Sequence, residues 1–139
     1  MGKFKKLFSK NEKGQAMVEL AFTLPILILV LCAIIDFGWI ISNKLLIVYS
    51  SREGARYGMV NATAANAEFL IAQRVVNSAP SYIRDDISVD VTFSDAYDVR
   101  AGDISVKVTC NVKALTPLTG IFINDQSIIL DAICVMKVE

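Results

Sequence analysis

The sequence predicts an α+β protein in which a long N-terminal transmembrane helix continues into a small head with a second helix and about three antiparallel strands. Three observations lead to this fold class: an uninterrupted apolar run near the N-terminus, helical spacing of apolar residues after it, and strict alternation in the C-terminal half. The chain has 139 residues, of which 54% are hydrophobic. The predicted boundaries are a leader at 1–14, a span at 15–38, a helical region at 39–79 and a β region at 80–139.

The apolar run covers residues 16–35 and contains one charged residue, Glu19. Twenty helical residues at about 1.5 Å each span roughly the 30 Å of a bilayer core. The run therefore predicts a transmembrane helix, which Pro25 should bend because proline removes one helical hydrogen bond. A buried core helix is the alternative, although so long an apolar run is unusual in a chain of this size.

Charge is distributed unevenly along the chain. Five of the first fourteen residues are lysines, and the remainder carries thirteen acidic and nine basic residues, a net charge of −4. The positive-inside rule predicts a cytoplasmic N-terminus and an extracytoplasmic head, as in a single-pass protein of the cell membrane. Since the head has no basic cluster, we expect no direct binding of nucleic acid.

Two other kinds of leader compete with this interpretation. A secretory signal peptide should have a shorter apolar region that ends in small residues, whereas this run ends in Ile34, Ile35 and Asp36. A lipoprotein signal would modify Cys32, but the residue before it should be small and is Leu31. Cys32 is more simply explained as an apolar residue of the span.

Glu19 is an acid inside an apolar segment, and such acids are functional candidates by default. It is the fifth residue counted from Gln15, and Gly14 stands directly before Gln15. A basic leader, a glycine and a glutamate at the fifth position resemble the processing site of type IV prepilins. The resemblance implies that a prepilin peptidase cuts after Gly14, and that Glu19 then meets the new N-terminal amine of a neighbouring subunit. In the alternative, Glu19 lies at the membrane interface and reaches into the headgroups.

A more specific resemblance covers about residues 13 to 60. It rests on five short motifs: Gly14-Gln15-Ala16, Glu19-Leu20-Ala21, Pro25, Ile35-Asp36-Phe37-Gly38 and Arg52-Glu53-Gly54-Ala55-Arg56-Tyr57. In their order and spacing, these motifs are similar to the TadE-like family. These proteins are minor pilins or pseudopilins of tight-adherence (Tad, Flp) pili. The resemblance implies a pilin-like head, with the membrane, a prepilin peptidase, other pilins or pseudopilins and the pilus assembly platform as partners. Since no cofactor motif is present, we expect no cofactor. Leu20 replaces the tyrosine of the major Flp pilins, and the chain is much longer than they are; both features favour the minor role.

The helix should continue beyond the membrane to about Tyr57 and break between Gly58 and Ala62. A second helix should cover residues 63–79 with Asn61 or Thr63 as its N-cap. Glu53 and Arg56 are spaced to pair across one turn. Arg52 and Arg56 share a face that could contact an acidic partner. A solvated end of a long helix is the alternative.

Alternating apolar residues predict strands at about 87–93, 104–114 and 128–138. Cys110 and Cys134 fall on the inward faces of two of them. An extracytoplasmic location permits a disulfide between these residues, but the sequence does not fix the strand register and leaves the bridge open.

No chemistry typical of an enzyme is evident, since the chain has no histidine, phosphate-binding glycine loop, nucleophile elbow or metal motif. A calcium site among Asp95, Asp98 and Asp103 would not match a known loop. Two functions remain open: a pilin-like structural subunit that is cleaved after Gly14, and an uncleaved, membrane-anchored binding or sensor module.

Overall fold

The computed structural model describes residues 4–64, 66–95, 102–117 and 127–138, with side chains from residue 14 onward. Two α-helices precede a short 3-10 helix and three strands. The elements are α1 (Phe4–Asn61), α2 (Ala67–Ser78), the 3-10 helix (Ser81–Asp86), β1 (Ile87–Phe93), β2 (Asp103–Lys113) and β3 (Ser127–Lys137). The predicted α+β architecture, with a long apolar N-terminal helix, a second helix and a three-stranded antiparallel sheet, is confirmed.

Helix α1 is continuous over 58 residues and runs through Pro25. The break predicted for residues 58–62 starts later than expected, because α1 continues through Gly58 and ends at Asn61. Helix α2 begins at Ala67 rather than at residue 63, so neither predicted N-cap starts it. It ends at Ser78, two residues before Pro80, as a proline stop predicts.

The sheet has the order β1-β2-β3, and both pairs of neighbours are antiparallel. The central strand β2 pairs Val106 with Val91 of β1 and with Cys134 of β3. Every second residue of β2 from Ile104 to Val112 is buried. The alternation read from the sequence therefore identified the strands and their inward face correctly.

The disulfide between Cys110 and Cys134 that the sequence left open is not formed. Cys110 lies opposite Leu130, whereas Cys134 lies opposite Val106, four residues further along β2. Four residues of strand cover about 13 Å, and a disulfide needs Cα atoms within about 7 Å. Both cysteines are free thiols, and burial raises the pKa of Cys110 above its ordinary value.

The core lies between the inward face of the sheet and the two helices. Its completely buried side chains come from three elements, for example Ile47 and Ala55 from α1, Ile71 and Val75 from α2, and Val106 from β2. In contrast, the apolar side chains of the span are exposed along its whole length, for example Phe22 at 74% and Ile26 at 64%. The span is therefore not a core helix of the head.

Candidate functional site

The residues predicted for processing and assembly lie on the free N-terminal part of α1. Gly14, Gln15 and Glu19 are helical and exposed. A Cβ atom built at Gly14 would meet no heavy atom within 4 Å, so packing inside the chain does not require glycine there. Within the described residues Glu19 forms no salt bridge; its carbonyl oxygen accepts a hydrogen bond from the Thr23 hydroxyl at 3.0 Å. The structure thus brings none of the head residues that it describes into a salt bridge with Glu19.

The span that carries Glu19 meets the length and composition needed to cross a membrane. In the described part of the chain, α1 is the one helix long and apolar enough for this, and it lies near the N-terminus. Two shallow, open grooves on its surface are lined by apolar residues, one around Leu29 and Phe37 and the other around Leu20 and Leu27. These features support single-pass membrane anchoring.

Asp36, the first residue after the apolar run, connects the span to the head. Its side chain is only 3% exposed. Its Oδ1 accepts hydrogen bonds from the backbone N–H groups of Leu115 at 3.1 Å and Thr116 at 2.9 Å, and its Oδ2 accepts one from the Thr116 hydroxyl. A carboxylate with three such donors is strongly held. The chain just beyond β2 is therefore fixed at the end of the span.

Further polar contacts hold the head to the same part of α1. The Trp39 Nε1–H donates to the Lys113 carbonyl at 3.1 Å, and the Trp39 ring lies 5.4 Å from that of Tyr82. Asn43 is fully buried; it donates to the Trp39 carbonyl and accepts a hydrogen bond from the Tyr82 hydroxyl at 3.2 Å. Together with Asp36, these residues fix the orientation of the head on α1.

A lysine protects one edge of the sheet. Strand β3 lies at an edge, where unpaired backbone groups invite pairing with other chains. The Lys44 ammonium donates to the Asp131 carbonyl and lies 3.6 Å from its carboxylate. Because Lys44 belongs to α1, a side chain of the helix occupies the Asp131 carbonyl at this edge.

The predicted pairing of Glu53 with Arg56 does not occur. Instead, the Arg74 guanidinium of α2 donates to Glu53, with a shortest N–O distance of 2.6 Å. This carboxylate raises the pKa of Arg74, whose guanidinium also lies 6.0 Å from the Tyr57 ring. Glu53 thus joins α1 to α2, whereas Arg52 and Arg56 remain exposed and form no salt bridge among the described residues.

Two glycines of α1 have a packing role that the sequence reading missed. A Cβ at Gly54 would lie 2.3 Å from Val75 Cγ2, and one at Gly58 would lie 2.2 Å from Ile104 Cδ1. The absence of a side chain lets α1 approach α2 and β2 closely at both positions. A spacing of four residues on one helical face was the signal available in the sequence.

The described residues contain no group of three or more Cys, Asp or Glu side chains placed to hold a metal ion. Of the acids considered for calcium, Asp103 opens β2 and is exposed, while Asp98 lies outside the described residues.

Comparison with known proteins identifies the N-terminal part of the chain. The family model described as TadE-like protein matches residues 14–56, which include Gly14, Glu19, Asp36 and the segment around Arg52. No curated protein and no solved structure gives a significant match. The match covers the span and most of the continuing helix, and it confirms the resemblance of this segment to the TadE-like family.

Proposed function

We propose that this chain is a minor pilin or pseudopilin that takes part in assembling a Tad/Flp-type pilus after a prepilin peptidase has cut behind Gly14. The observation that carries the proposal is Glu19, an exposed acid on an apolar helix with no salt-bridge partner in the described part of its own chain. The TadE-like match over residues 14–56 supports the pilus context. The role is structural rather than catalytic.

The physical basis of the proposal is the cost of placing charge in lipid. A charged side chain near the centre of a bilayer helix costs about 2.5–3.5 kcal/mol on insertion scales, and less near the interface. Cleavage would create an ammonium group at Gln15, about one helical turn from Glu19. The amine and the carboxylate of one chain are held four residues apart on the same helix. A neighbouring subunit that is displaced along the helix axis can place its own amine directly beside Glu19, and the two opposite charges then compensate each other.

The same proposal assigns an orientation. The lysine-rich segment lies in the cytoplasm, and the head lies outside because the positive-inside rule favours that arrangement. The attachment of the head at Asp36, directly after the apolar run, supports a head that begins at the membrane surface. After cleavage, the subunit could leave the bilayer with its head already fixed on α1.

The mass of the mature N-terminus tests the cleavage. The native protein is purified from cells with an active prepilin peptidase, and a chain that begins at Gln15 supports the proposal. Gly14→Val should block cleavage, whereas Gly38→Ala, the matched control on the same helix, should leave it intact; a Cβ at either glycine would meet no other atom within 4 Å. A native chain that begins at Met1 contradicts the proposal and favours an anchored binding or sensor module.

Replacement of Glu19 tests assembly separately from processing. Glu19→Ala should lower incorporation into pili while membrane insertion remains normal or improves, because a charge leaves the apolar segment. Glu19→Asp keeps the carboxylate and should retain part of the incorporation. If the alanine variant is incorporated like the native protein, Glu19 has no role in assembly.

A further inference from the structure

One face of α1 remains apolar from the end of the span onward, although it lies outside the core and most of it lies beyond the lipid. Phe37, Ile41, Leu45 and Tyr49 are 66%, 44%, 64% and 61% exposed. Their spacing of four residues keeps them on one side of the helix, and Arg52 and Arg56 continue the same line. We call these six residues the α1 stripe. It is about 28 Å long, because it spans nineteen helical steps of about 1.5 Å.

The stripe lies opposite the side of α1 that packs on the head. Asn43, Ile47 and Gly54, which mark the packed side, are buried. Lipid covers at most the first part of the stripe, since Leu45 and Tyr49 lie nine and thirteen residues beyond Asp36, or about 14 and 20 Å along the axis. A row of large apolar side chains in that position indicates a contact with another protein.

The charges at the far end of the stripe determine what can bind there. Arg52 and Arg56 are exposed and have no salt bridge among the described residues, whereas nearby Glu53 and Lys44 are both paired. Two guanidinium groups in line with an apolar row match a partner that presents apolar side chains first and carboxylates beyond them.

The same stripe of a second copy does not meet this requirement. Two copies anchored in one membrane have parallel α1 helices, and a symmetric pair through this face would place each residue beside its own counterpart. Arg52 would then face Arg52, and Arg56 would face Arg56. Like charges at such distances oppose pairing, so the arginines select against self-association through this face.

We infer that the α1 stripe binds a parallel, membrane-anchored helix of a different subunit, with apolar residues level with Leu45 and Tyr49 and carboxylates level with Arg52 and Arg56. The inference rests on the proposed function, since it names the kind of fellow subunit that this chain binds. Arg52 and Arg56 determine which partner binds, and the apolar residues form the contact with it.

Disulfide cross-linking of the full-length protein in membranes tests the inference with a charge-reversed copy as the probe. Both copies carry Leu45→Cys and Cys32→Ala, differ in tag size, and are co-expressed; one of them also carries Arg52→Glu and Arg56→Glu. We expect the mixed dimer to exceed either self-paired dimer about tenfold, because two repulsive contacts become attractive. The control pair replaces Arg52→Glu and Arg56→Glu by Lys107→Glu and Lys113→Glu, which change the net charge equally on exposed residues of β2, and it should show no such excess.

Three results would overturn the inference: no cross-link at residue 45 in the mixture, native self-pairing as strong as mixed pairing, or the same excess in the control. The cross-link does not require cleavage after Gly14. A native chain that keeps Met1 but gives the expected cross-links would refute only the proposed processing, whereas a chain that begins at Gln15 without them would refute only the assignment of the stripe.

Discussion

Removal of the Asp36 carboxylate should loosen the head from the span. In Asp36→Ala, two backbone N–H groups and the Thr116 hydroxyl lose their acceptor at a site where the native side chain is 3% exposed. Each unsatisfied buried group costs about 1–3 kcal/mol, but Leu115 is 57% exposed and water can reach part of the site. We therefore expect a loss of about 2 kcal/mol rather than the sum of three full penalties.

Graded variants refine this expectation. Asp36→Asn keeps the side-chain size and one acceptor oxygen for the two N–H groups, and it replaces the charged second oxygen by an NH2 group that can donate to the Thr116 hydroxyl, so it should cost about 1 kcal/mol. A loss of 1 kcal/mol lowers the Tm by about 4–8 °C in a domain of 60–100 residues, so Asp36→Ala should lower it by about 10 °C. Fluorescence of Trp39, the single tryptophan of the chain, reports the unfolding because its indole contacts Lys113 and Tyr82.

Hydrogen exchange in the detergent-solubilised protein provides the decisive measurement. The amides of Leu115 and Thr116 should exchange much faster in Asp36→Ala than in the native protein, while the central amides of β2 change little. If these two amides remain protected and the Tm is unchanged, Asp36 does not hold the head, and the assignment of this contact fails.

Three further predictions concern the packing of the head. Gly54→Ala should destabilise it by about 1–2 kcal/mol, since overpacking against the next helix outweighs a gain in helix propensity of about 1 kcal/mol; Gly38→Ala, with open space around it, should not, and equal thermal unfolding of both variants would contradict the close approach. Glu53→Gln should cost less than about 1 kcal/mol, because the ion pair that it breaks is partly exposed, and the loss should shrink in 1 M salt; a loss independent of salt would mean that charge is not the cause. Burial raises the pKa of Cys110, so the native thiol should resist alkylation. The protein's stability should fall as the pH rises above 9.0, the ordinary pKa of the thiol, because the thiol ionises first in the unfolded chain. The Cys110→Ala variant should lack this part of the pH dependence, and an unchanged dependence would contradict the buried thiol as its cause.

Features that depend on neighbouring residues in the sequence were predicted well. The span followed from twenty consecutive residues with a single charge, and each strand followed from its own alternation. Gly14 and Glu19 were recognised because their spacing along the chain resembles that of a prepilin processing site. The TadE-like match over residues 14–56 confirms the resemblance found from that spacing.

Contacts between distant segments could not be read in the same way. Glu53 has an acceptable partner three residues away in Arg56, yet it pairs with Arg74, which only the approach of α2 brings within reach. Asp36 was noted as the end of the apolar run and as part of one motif, but not as a hydrogen-bond acceptor, because its donors lie about eighty residues later. Gly58 was read as a helix breaker because its value depends on Ile104, a residue of another element.

Local composition and periodicity alone indicated a candidate membrane-spanning helix and an alternating β region, and a resemblance over a few neighbouring residues indicated a candidate processing site, since these patterns are complete within short stretches of chain. Tertiary structure decided which residues meet. A register shift of a few residues would leave the alternation of β2 and β3 unchanged but would alter the partners of Cys110 and Cys134. The relative position of two elements depends on packing between distant residues, which no local pattern encodes.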